Sequence, residues 1–314
     1  MLLLLRNKIQ SNKTQNKQTQ NKQTESDKVQ PRNSLFNKVP LLQQNTLLIT
    51  LSPEHITLNL LKRSMWRDEY KQELTLPCVA NSDDLIKCLA MLENNLKKAP
   101  WNSARVTVVL SNHFVRYMLI PWSDMLLHPK EQQAYLQHLF NETYGDTAAN
   151  HALRLSPAAP GKERIASAID KNLLEQVRST VSNAGLQLDS IQPWLMYYFN
   201  RYRDQMPDAG GWFVSVEHGM VAIIGVANGA WRLVHTLRCG TLWQQELHAA
   251  LNRFYLSGEA KAIPKNLYWC SNDTQHHVSA FNSEWQLIRL ETKYNKGKKI
   301  KSPVFSVQGE RIES

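Results

Sequence analysis

The sequence predicts a duplicated α/β fold, with mixed sheets flanked by helices. Two observations carry that expectation. Read from hydrophobic periodicity, the elements run β-β-β-α-β-α and then begin again as β-β-β-α-β. Each opening run also contains a turn bearing Glu-His: Glu54-His55 in the first and Glu217-His218 in the second.

The elements follow in order. LLITLSPEHITLNLLK (47–62) reads as two strands around a turn at Ser52-Pro53-Glu54, and ELTLP (73–77) as a third. Asp83 to Lys97 has the helical stripe Leu85, Leu89, Leu92 and Leu96, with Ser82 as its expected N-cap. RVTVVL (105–110) is a buried strand and FVRYMLIPW (114–122) a further extended run. Pro129 opens a helix that ends near Gly145, with Tyr135, Leu136, Leu139 and Phe140 inward. ALRLS (152–156) and RIASAID (164–170) read as paired strands. Asp170 then caps a helix that buries Leu173, Leu174, Val177 and Val181 and closes at Gly185. A strand leads into Pro193, where another helix starts. Gly210-Gly211 is read as a break. After it come three meander strands, WFVSVE (212–217), MVAIIGV (220–226) and AWRLVHTL (230–237). A helix from about Thr241 to Leu256, with Leu247, Leu251 and Phe254 inward, precedes the late strands NLYWC (266–270) and WQLIRL (285–290).

The ends differ from this middle. Residues 7–30 are nearly all Asn, Gln, Lys, Thr and Ser, too polar to offset the entropy of ordering. The expected organisation is therefore a disordered basic leader (1–44), a first subdomain (45–209), a second and shorter subdomain (210–291) and a basic flexible tail (292–314). The net charge is +10 over 314 residues. Residues 1–45 hold eight Lys/Arg against two Asp/Glu, and residues 292–314 hold six against two. The stretch between carries 23 of each sign and is neutral, so the basicity gives no folded face for reading nucleic acid. The KGKKIK tail is read as solvated, with contact to anionic lipid as the alternative.

No apolar run reaches the roughly 18 residues of a membrane helix, and the Met1–Leu5 leucines are too few for a secretory signal. Cys78, Cys88, Cys239 and Cys270 are scattered, without CxxC spacing, and are expected to be reduced thiols in a cytoplasmic protein. Adjacent His276-His277 lack the partners of a metal site, and none is expected. His113 and Arg116, beside an extended apolar run, read as surface or strand-end residues, with a pocket holding a general base as the alternative.

Two halves that each open with a three-stranded meander, then a helix, then a strand, describe the actin-like (ribonuclease H-like) duplicated fold. The segments VTVVLSNHFVRYMLIPW (106–122), YGD (144–146), AGLQLDSIQPWL (184–195) and WFVSVEHGMVAIIGVANGAWRLV (212–234) resemble actin-like proteins of bacterial pilus and type II secretion systems. That group comprises PilM, MshI and the cytoplasmic domain of GspL. The resemblance implies a cytoplasmic actin-like domain at the inner face of the inner membrane. It would dock a bitopic inner-membrane partner of the PilN kind.

Actin-fold ATPases hold phosphate at two strand-turn-strand corners through backbone N–H groups, glycine and aspartate. Here the first corner is Ser52-Pro53-Glu54-His55, with neither glycine nor aspartate, and Pro53 has no N–H. The second corner, Glu217-His218-Gly219, keeps one carboxylate and one glycine and is the only candidate cofactor site. No Gly-rich phosphate motif is present. The expectation is a non-catalytic scaffold without a cofactor; the alternative is a nucleotide-binding actin-fold ATPase or phosphotransferase using Mg-ATP. For partner binding the candidates are Arg116, Tyr117 and Trp122, because aromatic and Arg side chains dominate hot spots. The idea is a partner's extended peptide adding to their strand. The rival reading is an internal strand of the first half.

Overall fold

The computed structural model describes residues 45–63, 68–78, 82–98, 100–101, 104–124, 128–258, 260–271 and 284–290. The leader 1–44, the tail 292–314 and His276-His277 lie outside the described residues. The first sheet is built from β1 (Thr46–Leu51), β2 (His55–Arg63), β3 (Asp68–Pro77), β4 (Arg105–Leu110) and β8 (Gln187–Pro193), in the order β3-β2-β1-β4-β8. The second comprises β9 (Gly210–Glu217), β10 (Met220–Ala227), β11 (Ala230–Arg238), β12 (Asn266–Ser271) and β13 (Gln286–Arg289), in the order β11-β10-β9-β12-β13. In both, the opening three strands pair antiparallel and the next two join in parallel. The two sheets therefore share one topology, used twice.

Between β4 and β8 the first half carries an insertion. Its three-stranded antiparallel sheet, ordered β5-β7-β6, uses β5 (Val115–Ile120), β6 (His151–Leu155) and β7 (Arg164–Asp170). Helix α2 (Pro129–Tyr144) covers one face of it through Leu136 and Phe140, against Ile120, Leu153, Ala166 and Ala168.

Helices α1 (Ser82–Leu96) and α3 (Lys171–Asn183) lie on the face of the first sheet made by Leu47, Ile49, Leu51, Val106 and Val108. Asp170 caps α3, accepting from the backbone of Asn172 and Leu173, and all four expected inward residues of α3 are buried. α1 begins at Ser82 itself, so that residue is the first of the helix rather than its cap. In the second half, α5 (Trp243–Ser257) packs on Trp212, Val214, Val216, Val221 and Ile223.

The opposite face of the second sheet meets the first half. Alternation along β9 sends Phe213 that way, where it lies edge-on to Phe199 of α4 (Trp194–Tyr202) with ring centroids 5.3 Å apart. Phe199 also meets Trp231 at 4.7 Å. Phe213, Ala222, Ile224, Tyr268 and Cys270 thus share one core with the first half. Strands β9 and β10 are buried almost throughout, as strands covered on both faces must be.

Gly210-Gly211 is not a break. It opens β9 and pairs with Ala227 and Val226. Gly210 takes φ +95°, and a Cβ there would collide with the Val226 carbonyl, so the close approach of two strands requires the glycine. Among the described residues, no helix is long and apolar enough to cross a membrane.

Candidate functional site

The two corners are strand hairpins at the same end of their sheets. In the first, Ser52 N–H and Oγ both donate to the His55 carbonyl, at 3.0 and 2.7 Å, and His55 N–H donates back to Ser52 Oγ at 3.2 Å. The donors a phosphate would use at Ser52 and His55 are consumed inside the turn. The Glu54 carbonyl accepts from Cys78 N–H at 2.6 Å, which ties the corner to the end of β3.

In the second corner Gly219 adopts φ +68°, a left-handed position suited to glycine. His218 leads the turn. Its Nδ1 lies 3.2 Å from Glu54 Oε2, so the two corners touch one another. His113, in the 3-10 turn after β4, brings Nε2 to 2.9 Å from the His218 carbonyl. A carbonyl only accepts, so this contact selects the tautomer with the proton on Nε2. His218 and Glu54 are substantially exposed, at 75% and 48% of their side-chain surface.

Behind this contact lies a polar hub centred on Asn112. Alternation places Ser215 and Glu217 on the inner face of β9, in line with Phe213. Glu217 Oε1 accepts from Asn112 N–H at 3.0 Å and from Asn112 Nδ2 at 2.6 Å. Asn112 Nδ2 also reaches Ser215 Oγ at 3.3 Å. On its other side, Asn112 Oδ1 accepts from Tyr117 Oη at 2.7 Å and from Leu195 N–H at 3.2 Å. Leu195 stands in the first turn of α4, whose Pro193 cap offers no side-chain acceptor. One asparagine therefore satisfies an orphan helix N–H, a tyrosine hydroxyl and a carboxyl from the other half.

Burial pushes the Glu217 carboxyl up to about 7, against the opposing pull of hydrogen bonds from the Ser111 hydroxyl and the backbone and side chain of Asn112. Burial likewise pushes the Tyr117 hydroxyl and the Cys270 thiol up, and the nearby Glu217 charge adds to both. Glu217, His218 and Gly219 thus come together with Glu54, His113 and Asn112. Among the described residues no group of three or more His, Cys, Asp or Glu is placed to hold a metal ion.

The partner-binding candidates separate. Arg116 is exposed and its guanidinium sits 4.9 Å from the centre of the Tyr144 ring. Trp122 is half-buried against the α2 cluster. Tyr117 is buried with its hydroxyl held by Asn112, so it is a core residue and not a surface anchor. Val115, Tyr117 and Leu119 face the core shared with the second half, whereas Arg116 shares the other face of β5 with Met118 and Ile120 and stays exposed beyond the α2 cluster that covers them. β5 is the end strand of its sheet in hydrogen bonding, and it packs beside β11.

Reading the sequence alone missed Asn112, Ser111 and Ser215. The inward parity of Phe213, Ser215 and Glu217 was legible; Asn112 in a short connection gave no local signal.

No family model matches the chain, and no curated protein matches it. Solved structures do. A Bacteroides thetaiotaomicron protein with an actin-like ATPase fold and unknown function is 15% identical with a TM-score of 0.50, covering 74% of this chain and 84% of its own. The cytoplasmic domain of EpsL, an inner-membrane component of the Vibrio cholerae type II secretion system, is 10% identical with a TM-score of 0.51, covering 79% and 90%. A chain of the PilM–PilN type IV pilus biogenesis complex is 14% identical with a TM-score of 0.52, covering 72% and 81%. At these identities the likeness defines the fold. The chain has the actin-like ATPase fold, and its twice-used strand order agrees with that likeness.

Proposed function

We propose that this protein is a non-catalytic actin-like scaffold that docks a membrane-anchored partner of the PilN kind in a pilus or type II secretion-like assembly, at the inner face of the inner membrane. One observation carries the reading: the two phosphate corners contact each other through Glu54 and His218, with Glu217 enclosed behind them on Asn112. A polyphosphate entering there meets two carboxyl groups, a proline without an N–H, and Ser52 and His55 donors already committed. The fold likeness to the EpsL domain and to the PilM–PilN complex supports the choice of machine. Arg116 and Trp122 are the surface residues proposed to meet the partner.

The competing reading is a nucleotide-binding ATPase or phosphotransferase. It rests on Glu217, whose carboxyl at about 7 is poised for proton transfer at neutral pH. Calorimetric titration of the full chain with Mg-ATP separates the two. The scaffold reading expects no binding heat at high micromolar ligand; saturable heat abolished by Glu217→Gln supports the enzyme. The docking itself is tested by reconstituting the purified chain with a purified single-span membrane protein that co-purifies with it. Failure to form a defined complex, or a complex indifferent to Arg116→Ala and Trp122→Ala, counts against the proposed surface.

A further inference from the structure

Polar atoms without partners gather in one part of the fold. Among the described residues, four buried side-chain polar atoms have no hydrogen-bond partner: Asn59 Oδ1, Arg105 Nε, Trp194 Nε1 and Asn200 Nδ2. Two belong to α4, and two to the face of the first sheet on which α4 lies. That face is the one turned away from α1 and α3. Trp194, 4% exposed, packs there on Leu48 and Val109. Asn59 stands across from Leu48 in the β1–β2 pairing, and Arg105 shares the parity of Val109 along β4. Beside the helix the cover thins. Leu61, Tyr197 and Tyr198 pack on the same cluster yet stay half-buried. Thr57 is half-buried and its β3 neighbour Thr75 is exposed. Buried polar groups without partners destabilise a fold, so four of them along one margin point to a further segment that belongs there.

We propose that this face, beside α4, is covered by the chain's own C-terminal segment Pro303–Val307, which fastens the end of the second half to the first. The unmet groups flanking Leu48 are an N–H donor on Trp194 and an oxygen acceptor on Asn59. A peptide backbone answers both, with its C=O and its N–H. The course of the chain brings such a segment to the right side. Leu290 follows β13, is 4% exposed, and donates its N–H to the Trp269 carbonyl at 2.8 Å. It belongs to the core shared with the first half, not to the cluster under α5. The chain therefore leaves its last strand at the junction of the two halves. The first half does the same: its fifth strand, β8, leads straight into α4, which carries Phe199 to Phe213 of the second sheet.

Residues 291–314, 24 in all, follow Leu290 and lie outside the described residues. Extended, they span about 80 Å, more than the width of a domain of this size, so reach sets no limit. Their composition divides them. Residues 291–301 hold five lysines and suit a solvated connection, whereas Pro303-Val304-Phe305-Ser306-Val307 is apolar enough to be buried. Phe305 matches the half-buried Tyr197 and Tyr198 in kind. Tethering decides between this occupant and a peptide from another molecule. A segment on a flexible connection is present at an effective concentration of about a millimolar, which a free partner rarely reaches.

The test uses the full chain. Benzoylphenylalanine replaces Phe305, and the protein is irradiated at low concentration. The expected product is a cross-link within one chain, mapped by mass spectrometry to β2 or α4. Hydrogen exchange is then compared between wild type and Phe305→Asp in the full chain. Burial of a phenylalanine side chain corresponds to about a tenfold or greater shift in a docking equilibrium, so exchange in β2 and α4 should quicken by about that factor. Strands β9 and β10 should exchange as before, which shows that the fold is intact. Phe305→Leu should restore most of the protection. The proposal is overturned if the cross-link joins two chains, maps to another surface or does not form. It is equally overturned if Phe305→Asp leaves β2 and α4 exchanging at the wild-type rate, since water would then suffice for Asn59 and Trp194.

Discussion

The two corners share a topology and differ in where the carboxylate points. Three residues separate β1 from β2, and Glu54 lies within that turn, half-exposed. Two residues separate β9 from β10, and Glu217 is the last residue of its strand. The repeated Glu-His pair therefore occupies different places in the two halves. Strand parity turns Glu217 inward to Asn112, while Glu54 stays at the surface and meets His218 from the opposite corner. The same residue type is thus part of the interface in one half and solvated in the other. Its energetic weight follows from that difference, not from the sequence repeat.

The largest expected effect is at the hub. Asn112→Ala leaves the Tyr117 hydroxyl and the Leu195 N–H without their partner at once, and strips the side-chain amide from the Glu217 carboxyl, which keeps the backbone N–H of residue 112. A loss on the order of 3 kcal/mol is expected, because unsatisfied buried polar groups carry their full desolvation penalty. Urea unfolding measures it, and a loss below about 0.5 kcal/mol would mean the hub does not join the halves.

Next comes the pH dependence of Glu217. Its folded value of about 7 lies above the ordinary 4.5, so the native state binds the proton more tightly than the unfolded chain. That stabilisation is fully present below about pH 4.5 and is lost as the pH rises through about 7. Wild type should lose on the order of 2 kcal/mol between about pH 5 and pH 8 through this group. In Glu217→Gln the amide oxygen still accepts from Asn112, and this contribution should vanish. Stability of both chains across that range decides it; parallel curves would remove Glu217 as the titrating group.

A smaller effect separates neighbours on β5. Tyr117→Phe loses a buried hydrogen bond and should cost about 1 kcal/mol, whereas Arg116→Ala, on the exposed side, should stay within about 0.5 kcal/mol. Equal costs would contradict the burial of the Tyr117 hydroxyl and the exposure of Arg116.

Most of the fold was legible because each element announced itself locally. Leu47, Leu48, Ile49 and Leu51 form a near-continuous apolar run, as in a strand covered on both faces, and Leu173, Leu174, Val177 and Val181 recur at helical spacing after a capping Asp170. The meander read correctly from its turn glycines. Gly210-Gly211 misled because a glycine pair signals a turn equally well when it permits two strands to approach. The site was legible only in part. Glu217, His218 and Gly219 stood out at a hairpin, but what they touch comes from more than a hundred positions away, at Asn112 and His113. No local pattern encodes such a partner. Tyr117 was read as an anchor from its residue type, and because β5 is apolar on both faces, with Val115 on one and Ile120 on the other, its alternation alone did not place it.

The smallest expected effect tests the contact that closes the corners. His218 and Glu54 form a surface pair, exposed at 75% and 48%, and an ion pair in that setting contributes at most about 1 kcal/mol after screening and side-chain entropy. His218→Ala removes the imidazole and keeps the backbone carbonyl that His113 reaches. Stability should therefore change by less than about 0.5 kcal/mol, and raising the salt should shrink the difference further. Glu54→Gln should match it, since each variant deletes the same pair. A cost near that of Asn112→Ala would make the surface contact a clamp in its own right, and the distinction between a buried corner and a solvated one would collapse. A negligible cost leaves the halves joined by Asn112, with Glu54 and His218 a solvated contact above it.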